Sequence, residues 1–351
     1  AGGHASVFLR PLDVPASARV EVVFDAPAGV SVSTAWPSDG RVYRPARSFL
    51  DREAHLAFGK DLELSRFEVA GAQVERARLP GTLAITDDEL DAWLARALRA
   101  VASLVGRFPH DRVQVVIVPV SRGTDPVPFG LVRRGGGASV LLLMSERAEL
   151  AALDRDWVAV HELSHLLFPR VARPDAWLGE GLATYYQEVL RSRAGLIAPR
   201  DAWRRLIAEF TRGRRDASEL PLGVESERMM ETRRFHRVYW SGAAFGLLAD
   251  LELRRRGTSL DALIAERSSE LVSADGSVTA LELLAALERP LGSGVLTTLA
   301  DGFERTRGFP DVSSALAALG IRVDEDGEVS FSDAPEARAL RAAIVGGDSE
   351  P

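Results

Sequence analysis

Cysteine is missing from all 351 residues. No disulfide can form and no thiolate can bind a metal, so a transition-metal site here would have to be built from imidazole and carboxylate. Histidine is scarce too, with six residues, which makes any regular grouping of them informative. Lysine occurs once, at Lys60, and arginine carries the remaining positive charge, a bias that reflects base composition more than function. Basic residues number 43 against 50 acidic ones, for a net charge of −7. The two signs are interspersed and the basic clusters, Arg133-Arg134 and Arg212-Gly213-Arg214-Arg215, are short, so no nucleic-acid partner is expected. No stretch reaches the about 18 consecutive apolar residues of a membrane span. The chain opens on Ala1-Gly2-Gly3 and not on methionine, which is compatible with a removed signal segment; an extracytoplasmic bacterial protein, periplasmic or secreted, is the expectation. Composition leaves the oligomeric state open.

Apolar residues make up 46% of the chain, enough to bury cores in more than one domain. Near the middle, His161-Glu162-Leu163-Ser164-His165 sets two imidazoles four residues apart. On a helix, positions i and i+4 stand one above the other, so both rings can reach one ion. Glu162, turned by about 100° from His161, comes close enough to a water on that ion to take its proton. This is the spacing of a metalloprotease zinc helix. Trp157, Val158, Val160, Leu163, Leu166 and Leu167 surround the motif with apolar side chains, which predicts a buried helix over about 154–168. The bland alternative is a structural helix that carries two half-exposed histidines. His4, His55 and His110 are expected to lie elsewhere.

Catalytic zinc usually takes three protein ligands and keeps a fourth position for water. Pro169 and Pro174 break the first helix, and a second apolar helix follows from Trp177, in which Glu180 is the only carboxylate before Glu188. An acid in such surroundings needs a cation or a hydrogen-bonding partner. Gly179, Gly181 and Ala183 would let this helix approach another closely. The competing reading is a glutamate favoured by the dipole at a helix start.

His161-Glu162-x-x-His165 followed by Trp177-Leu178-x-Glu180-Gly181-x-Ala183-x-Tyr185 resembles the gluzincin metallopeptidases, the clan of aminopeptidase N and the glycyl aminopeptidases. The resemblance implies one Zn2+ per chain held by His161, His165 and Glu180, with Glu162 as general base. The connection 166–179 is shorter than is usual in the aminopeptidase N group. Downstream, Tyr239-Trp240-Ser241-Gly242 is similar to the segment that supplies a tyrosine hydroxyl to the oxyanion, and it assigns that role to Tyr239. A phenol suits the task as a neutral donor to charge that develops only in the tetrahedral state. An aromatic anchoring a helix start is the alternative, and His236 and Arg237 are further candidates for contacting the oxyanion or a substrate carboxylate. These families also carry a Gly-rich edge strand with an acidic residue that captures a free amine. Here the corresponding stretch is Arg133 to Leu143, with Gly136, Gly137 and Ala138 as candidate substrate contacts, and no Asp or Glu occurs between Asp125 and Glu146. It reads either as a strand a peptide can pair with or as a flexible loop before an ordinary strand.

The expected fold class is α+β: an N-terminal antiparallel β module over 1–82, then a thermolysin-like, mostly helical zinc peptidase domain over 83–290. A helical extension with a short hairpin would fill 291–345, and 346–351 would be a disordered tail. Alternating runs such as Ala18 to Phe24, with Pro and Gly turns, suggest the module, and Trp36 to Gly40 with Phe49-Leu50 also looks like the module of glycyl aminopeptidases. Thr86-Asp87-Asp88-Glu89 is a capping box for a helix to about 104; 112–120 and 139–144 read as strands. Later helices are expected near 179–193, 200–212, 239–256, 259–268, 279–287 and 293–306, then a short one over 312–319 capped by Gly320 and a hairpin over 321–331. The implied function is a zinc metallopeptidase acting on peptide or protein substrates. Alternatives are a peptidase-like zinc- or peptide-binding module without turnover, and a related zinc hydrolase of non-peptide substrates.

Overall fold

In the computed structural model of the protein, the described residues are 2–3, 14–15, 17–50, 52–121, 123–216, 218–273, 276–324 and 326–347. His4 and the end of the tail, 348–351, lie outside them. The chain is a mixed α/β protein with two compact units, Ala1–Ala102 with Gly106–Leu166, and Ser103–Val105 with Leu167–Pro351.

The first unit holds strands β1 (Gly2–Gly3), β2 (Val22–Val23), β3 (Ser31–Thr34), β4 (Val42–Tyr43), β5 (His55–Gly59), β6 (Glu63–Val69), β7 (Ala72–Arg78), β8 (Arg112–Val120), β9 (Phe129–Arg133) and β10 (Ala138–Ser145), and helices α1 (Asp87–Ala102), α2 (Leu150–Asp154) and α3 (Val158–His165). The early strands make two small antiparallel sheets, β1-β5-β3 and β2-β4, as expected. Their core is Trp36, fully buried and edge-on to Phe49 at 4.9 Å, with Val22, Ala54 and Leu56 around it. The main sheet has the order β6-β7-β8-β10-β9. It takes two strands from before residue 82 and three from after, so it runs across the expected module boundary. The reason is a β-α-β crossover: β7 and β8 pair in parallel, Val74 opposite Val113, with α1 between them in sequence. Helix α1 starts at the foreseen capping box, with Thr86 N donating to Glu89 Oε2 at 2.8 Å and Glu89 N to Thr86 Oγ1 at 3.2 Å.

The second unit is mostly helical: α4 (Ala176–Arg193), α5 (Pro199–Arg215), α6 (Leu222–Glu227), α7 (Met229–Thr232), α8 (Phe235–Arg255), α9 (Leu260–Ser273), α10 (Ala280–Glu288), α11 (Val295–Arg305), α12 (Ser313–Ala318) and α13 (Pro335–Val345). Two parallel residues, β11 (Arg170–Val171) against β12 (Ser277–Val278), order the connection ahead of α4. The hairpin is β13 (Ile321–Val323) with β14 (Val329–Phe331), and Gly320 takes the left-handed φ of +61° that ends α12. A buried polar network joins α4, α8 and α9. Tyr185 Oη donates to Asp250 Oδ2 at 3.3 Å, Arg254 Nε donates to the same oxygen at 3.0 Å, and Leu260 N donates to Asp250 Oδ1 at 2.9 Å. Burial, then the nearby Asp261, lift the Asp250 carboxyl above its usual range. Among the described residues, no helix is long and apolar enough to cross a membrane.

His55, on β5, is 4% exposed, and its Nδ1 lies 3.1 Å from Ser139 Oγ on β10. Burial, then the charge of Arg133, pull its pKa down to about 3. The folded state therefore binds this proton less readily than the unfolded chain, whose histidine titrates near ~6.5. The stability that neutral His55 contributes is full above about 6.5 and lost as pH falls towards 3, by up to about 1.4 kcal/mol per pH unit. Denaturant titrations between pH 7 and 4 are expected to show His55→Gln with a shallower acid slope than the native chain. Parallel slopes would remove His55 as a source of acid sensitivity.

Candidate metal centre

Helix α3 carries the motif, and it is shorter than the sequence suggests. The expected helix over 154–168 is split: α2 ends at Asp154, and α3 spans only Val158–His165. Asp156 is the reason for the break, since its Oδ1 accepts from Val158 N at 2.8 Å and starts a new helix. Within α3 the rings of His161 and His165 stand edge to face with centroids 4.9 Å apart. Trp157, one turn earlier, is edge-on to His161 at 5.5 Å. His161 is buried, while Glu162 and His165 are partly open.

Strand β9 lies against this helix at its acidic residue. A Cβ built on Gly130 would come within 2.4 Å of Glu162 Cγ and 2.8 Å of its Oε1, so any larger residue there would make the Glu162 side chain move. β9 is an edge of the sheet, and its outer side is where an added strand could pair. Of the two readings of the stretch Arg133 to Leu143, this corrects the one that made it a strand for a substrate to pair with. β10 is interior, paired in parallel with β8 and antiparallel with β9, so its main-chain groups are already used. Gly136, Gly137 and Ala138 are likewise committed. Gly136 N donates to Ser48 Oγ at 3.1 Å, Gly136 O accepts from Ala46 N at 3.1 Å, and a Cβ on Gly137 would meet Ala35 O at 2.6 Å. The glycines serve the close packing of this segment on 35–54 and not a ligand. β9 was hidden in the sequence because Phe129-Gly130-Leu131-Val132-Arg133 follows Pro126 and Pro128 and contains a glycine, features that read as loop.

In the second unit, Glu180 and Tyr239 lie on α4 and α8, which meet without side chains between them. A Cβ on Gly181 would fall 2.3 Å from Gly242 Cα, and one on Gly242 would fall 1.8 Å from Trp177 O. Glu180 adjoins the first of these glycines, and Tyr239 sits nearly one turn before the second. α8 begins at Phe235, earlier than expected, so Tyr239 is inside the helix, half-buried and edge-on to Phe235 at 6.5 Å. Arg237 is not a ligand contact, contrary to expectation. It is fully buried, and its Nη2 donates to Gly308 O at 2.9 Å and Leu220 O at 3.0 Å, tying loops together. His236 is engaged as well, with Nε2 2.6 Å from Glu209 Oε2, and this contact holds the Glu209 carboxyl below its usual range.

One ligand atom from each of His161, His165 and Glu180 lies within 4.8 Å of the other two, the set among the described residues that could hold a metal ion. His55 and His110 are elsewhere, as expected, each with its own partner: Ser139 Oγ for the first and Leu166 O for the second. Two imidazoles and a carboxylate are a donor set that catalytic zinc takes.

No protein-family model matches the sequence, and no curated protein matches it significantly. Solved structures do. An aminopeptidase N family protein from Idiomarina loihiensis superimposes with a TM-score of 0.63 at 17% identity, over 91% of this chain and 62% of its own. An M1 zinc metallopeptidase from Deinococcus radiodurans gives 0.52 at 19%, over 84% of this chain and 63% of its own. A variant of that enzyme bound to a Tyr-Ser-Ala substrate gives 0.53 at 20%, over 84% of this chain and 64% of its own. The fold is that of the M1 zinc metallopeptidases. The chain spans less than two thirds of the length of these M1 structures.

The M1 fold of this chain depends locally on the α4/α8 contact. Gly242→Ala is expected to lower stability by at least ~1–3 kcal/mol, because the new methyl must displace the Trp177 carbonyl. Gly302→Ala, inside α11 with nothing within 4 Å, should raise it by about 0.5–1 kcal/mol. Urea titrations of both variants check this pair; similar effects at the two sites would refute the close-contact account.

Proposed function

We propose that the protein is a zinc metallopeptidase that cleaves peptide bonds in an active site of thermolysin-like, gluzincin type. The single observation that carries the reading is the grouping of His161, His165 and Glu180 within 4.8 Å, on a chain with an M1 fold. These three residues would hold one zinc ion. Bound there, zinc would supply Lewis acidity and a water whose pKa falls towards neutrality.

The chain's own groups do the rest. Glu162, beside the first histidine, takes a proton from the attacking water and hands it to the departing amine. Gly130 leaves that carboxylate its space. The free edge of β9 offers main-chain donors and acceptors to an extended peptide. Tyr239 donates its phenolic hydrogen to the oxygen that becomes negative in the tetrahedral state, an interaction weak in the ground state and strong in the transition state. The strand 129–133 and its flanks contain no carboxylate for a free α-amine, which favours a peptidase that does not require an unblocked N-terminus.

The test is cleavage of a peptide mixture containing N-acetylated and free-amine twins, together with metal analysis. The native chain is expected to carry about one zinc and to cut both twins. Glu162→Gln should keep the metal and lose at least ~10²–10⁴ of the rate. Absence of zinc from the native chain, or normal turnover by the variant, would end the proposal; strict preference for the free amine would end the substrate assignment alone. Tyr239→Phe is expected to lower kcat by ~10²–10³ with KM little changed. Unchanged kcat would return Tyr239 to packing.

A further inference from the structure

The carboxyl end of α3 ends in carbonyls that the helix cannot satisfy. His165 O would ordinarily accept from the N–H four residues on, but that residue is Pro169, which has none. Leu166 O would accept from residue 170, which belongs to β11. Two side chains from the same compact unit supply the missing donors. Arg134 Nη2 donates to His165 O at 2.5 Å, and His110 Nε2 donates to Leu166 O at 3.2 Å. A carbonyl can only accept, so His110 carries its proton on Nε2. Burial, then the neighbouring charge of Arg134, pull the His110 pKa down to about 4, which keeps the ring neutral at working pH.

Alternation along the strand explains why Arg134 and not Arg133 does this. Gly130, Val132 and Arg134 share one face, and that face is turned to α3: the missing Cβ of Gly130 abuts Glu162, and four residues on the guanidinium reaches His165 O. Arg133 points the other way and pairs with Glu53 at 2.7 Å. An eight-residue helix is too short to hold its own shape, so the orientation of its last residue depends on what grips that end. The cation also lies at the helix terminus where the peptide dipoles favour it.

We propose that Arg134, assisted by His110, is a positioning residue for the metal ligand His165: it completes the carboxyl end of α3 and fixes where that imidazole is presented. The proposal rests on the zinc reading above. In this role Arg134 acts through the backbone of the ligand, by its bond to His165 O.

Zinc affinity of the metal-free chain, measured by competition with a chromogenic chelator, separates this role from general stability. Arg134→Met is expected to weaken zinc ~10–100-fold, the scale of groups that orient metal ligands. Arg134→Lys, which keeps the charge but not the planar fork, should fall between Met and native. Arg96→Met, which breaks the pair with Asp154 on α2, is the control for loss of an ion pair in the same unit and should stay within about 3-fold of native. Native affinity in Arg134→Met, or equal losses in Arg134→Met and Arg96→Met, would overturn the proposal. If Arg134→Met does not fold, the lysine variant decides: native affinity refutes and an intermediate loss supports. A native chain that binds no zinc fails before any variant is made, and overturns both readings.

Discussion

Two imidazoles can share an ion only if the helix that carries them keeps one shape, and an eight-residue helix cannot do that alone. Much of the first unit can be understood as the means of holding α3. Asp156 starts it, Arg134 and His110 finish it, and β9 lies along its side. One level out, α1 reaches the segment ahead of α3 through Trp93 Nε1, which donates to Leu153 O at 2.9 Å. The glycine triplet 135–137 turns the chain from β9 into β10 while packed on the small N-terminal sheets, with Trp36 Nε1 donating to Gly135 O at 2.7 Å. The N-terminal strands are thus bonded to the turn that immediately follows Arg134.

The second unit solves a different problem. Glu180 needs a helix that is buried and rigid although a carboxylate is poorly suited to burial. The solution is backbone contact. With glycine at both 181 and 242, α4 and α8 touch main chain to main chain, and dispersion between the backbones replaces interleaved side chains. Such a contact admits no sliding, because a shift along either helix would bring a larger residue against the partner backbone. Farther along, Tyr185, Asp250 and Arg254 join the same two helices through hydrogen bonds. Such a network is stable only when its members are satisfied.

Features governed by neighbouring residues were legible in the sequence. The capping box at Thr86, the glycine stop at 320, the hairpin after it, and most of the long helices follow from local rules of termination and period. The motif at 161–165 was legible for the same reason. The rest depends on what comes alongside from a distance. The glycine of β9 packs against the Glu162 side chain in the position Glu162 takes, which no window around residue 130 can reveal. Arg237 looked like a site residue because it stands beside Tyr239, but helix geometry turns it towards the carbonyls of 220 and 308. Gly136 and Gly137 looked like a substrate strand because a glycine cluster ahead of an apolar run has that composition, whereas their packing against 35–48 decides otherwise. His110 gave no signal, since a lone histidine has no pattern until its carbonyl partner is known.

The segment 129–134 therefore carries three demands at once. Its outer edge is open to an added strand, its inner face must be bare at Gly130, and Arg134 must reach a helix end left short of a donor by Pro169. A strand obeys alternation, so these demands fall on fixed positions: 130, 132 and 134 face α3, while 129, 131 and 133 face away. A change of register by one residue would put Arg133 at the helix end and Phe129 against Glu162, and both functions would be lost together. The pairing of Leu142 with Gly130 and Ser139 with Arg133 on β10 holds that register, and the buried face of β10 holds β10 in turn. On this view the interior strand that looked like the substrate's partner has a different task, which is to keep its neighbour in phase with the metal helix.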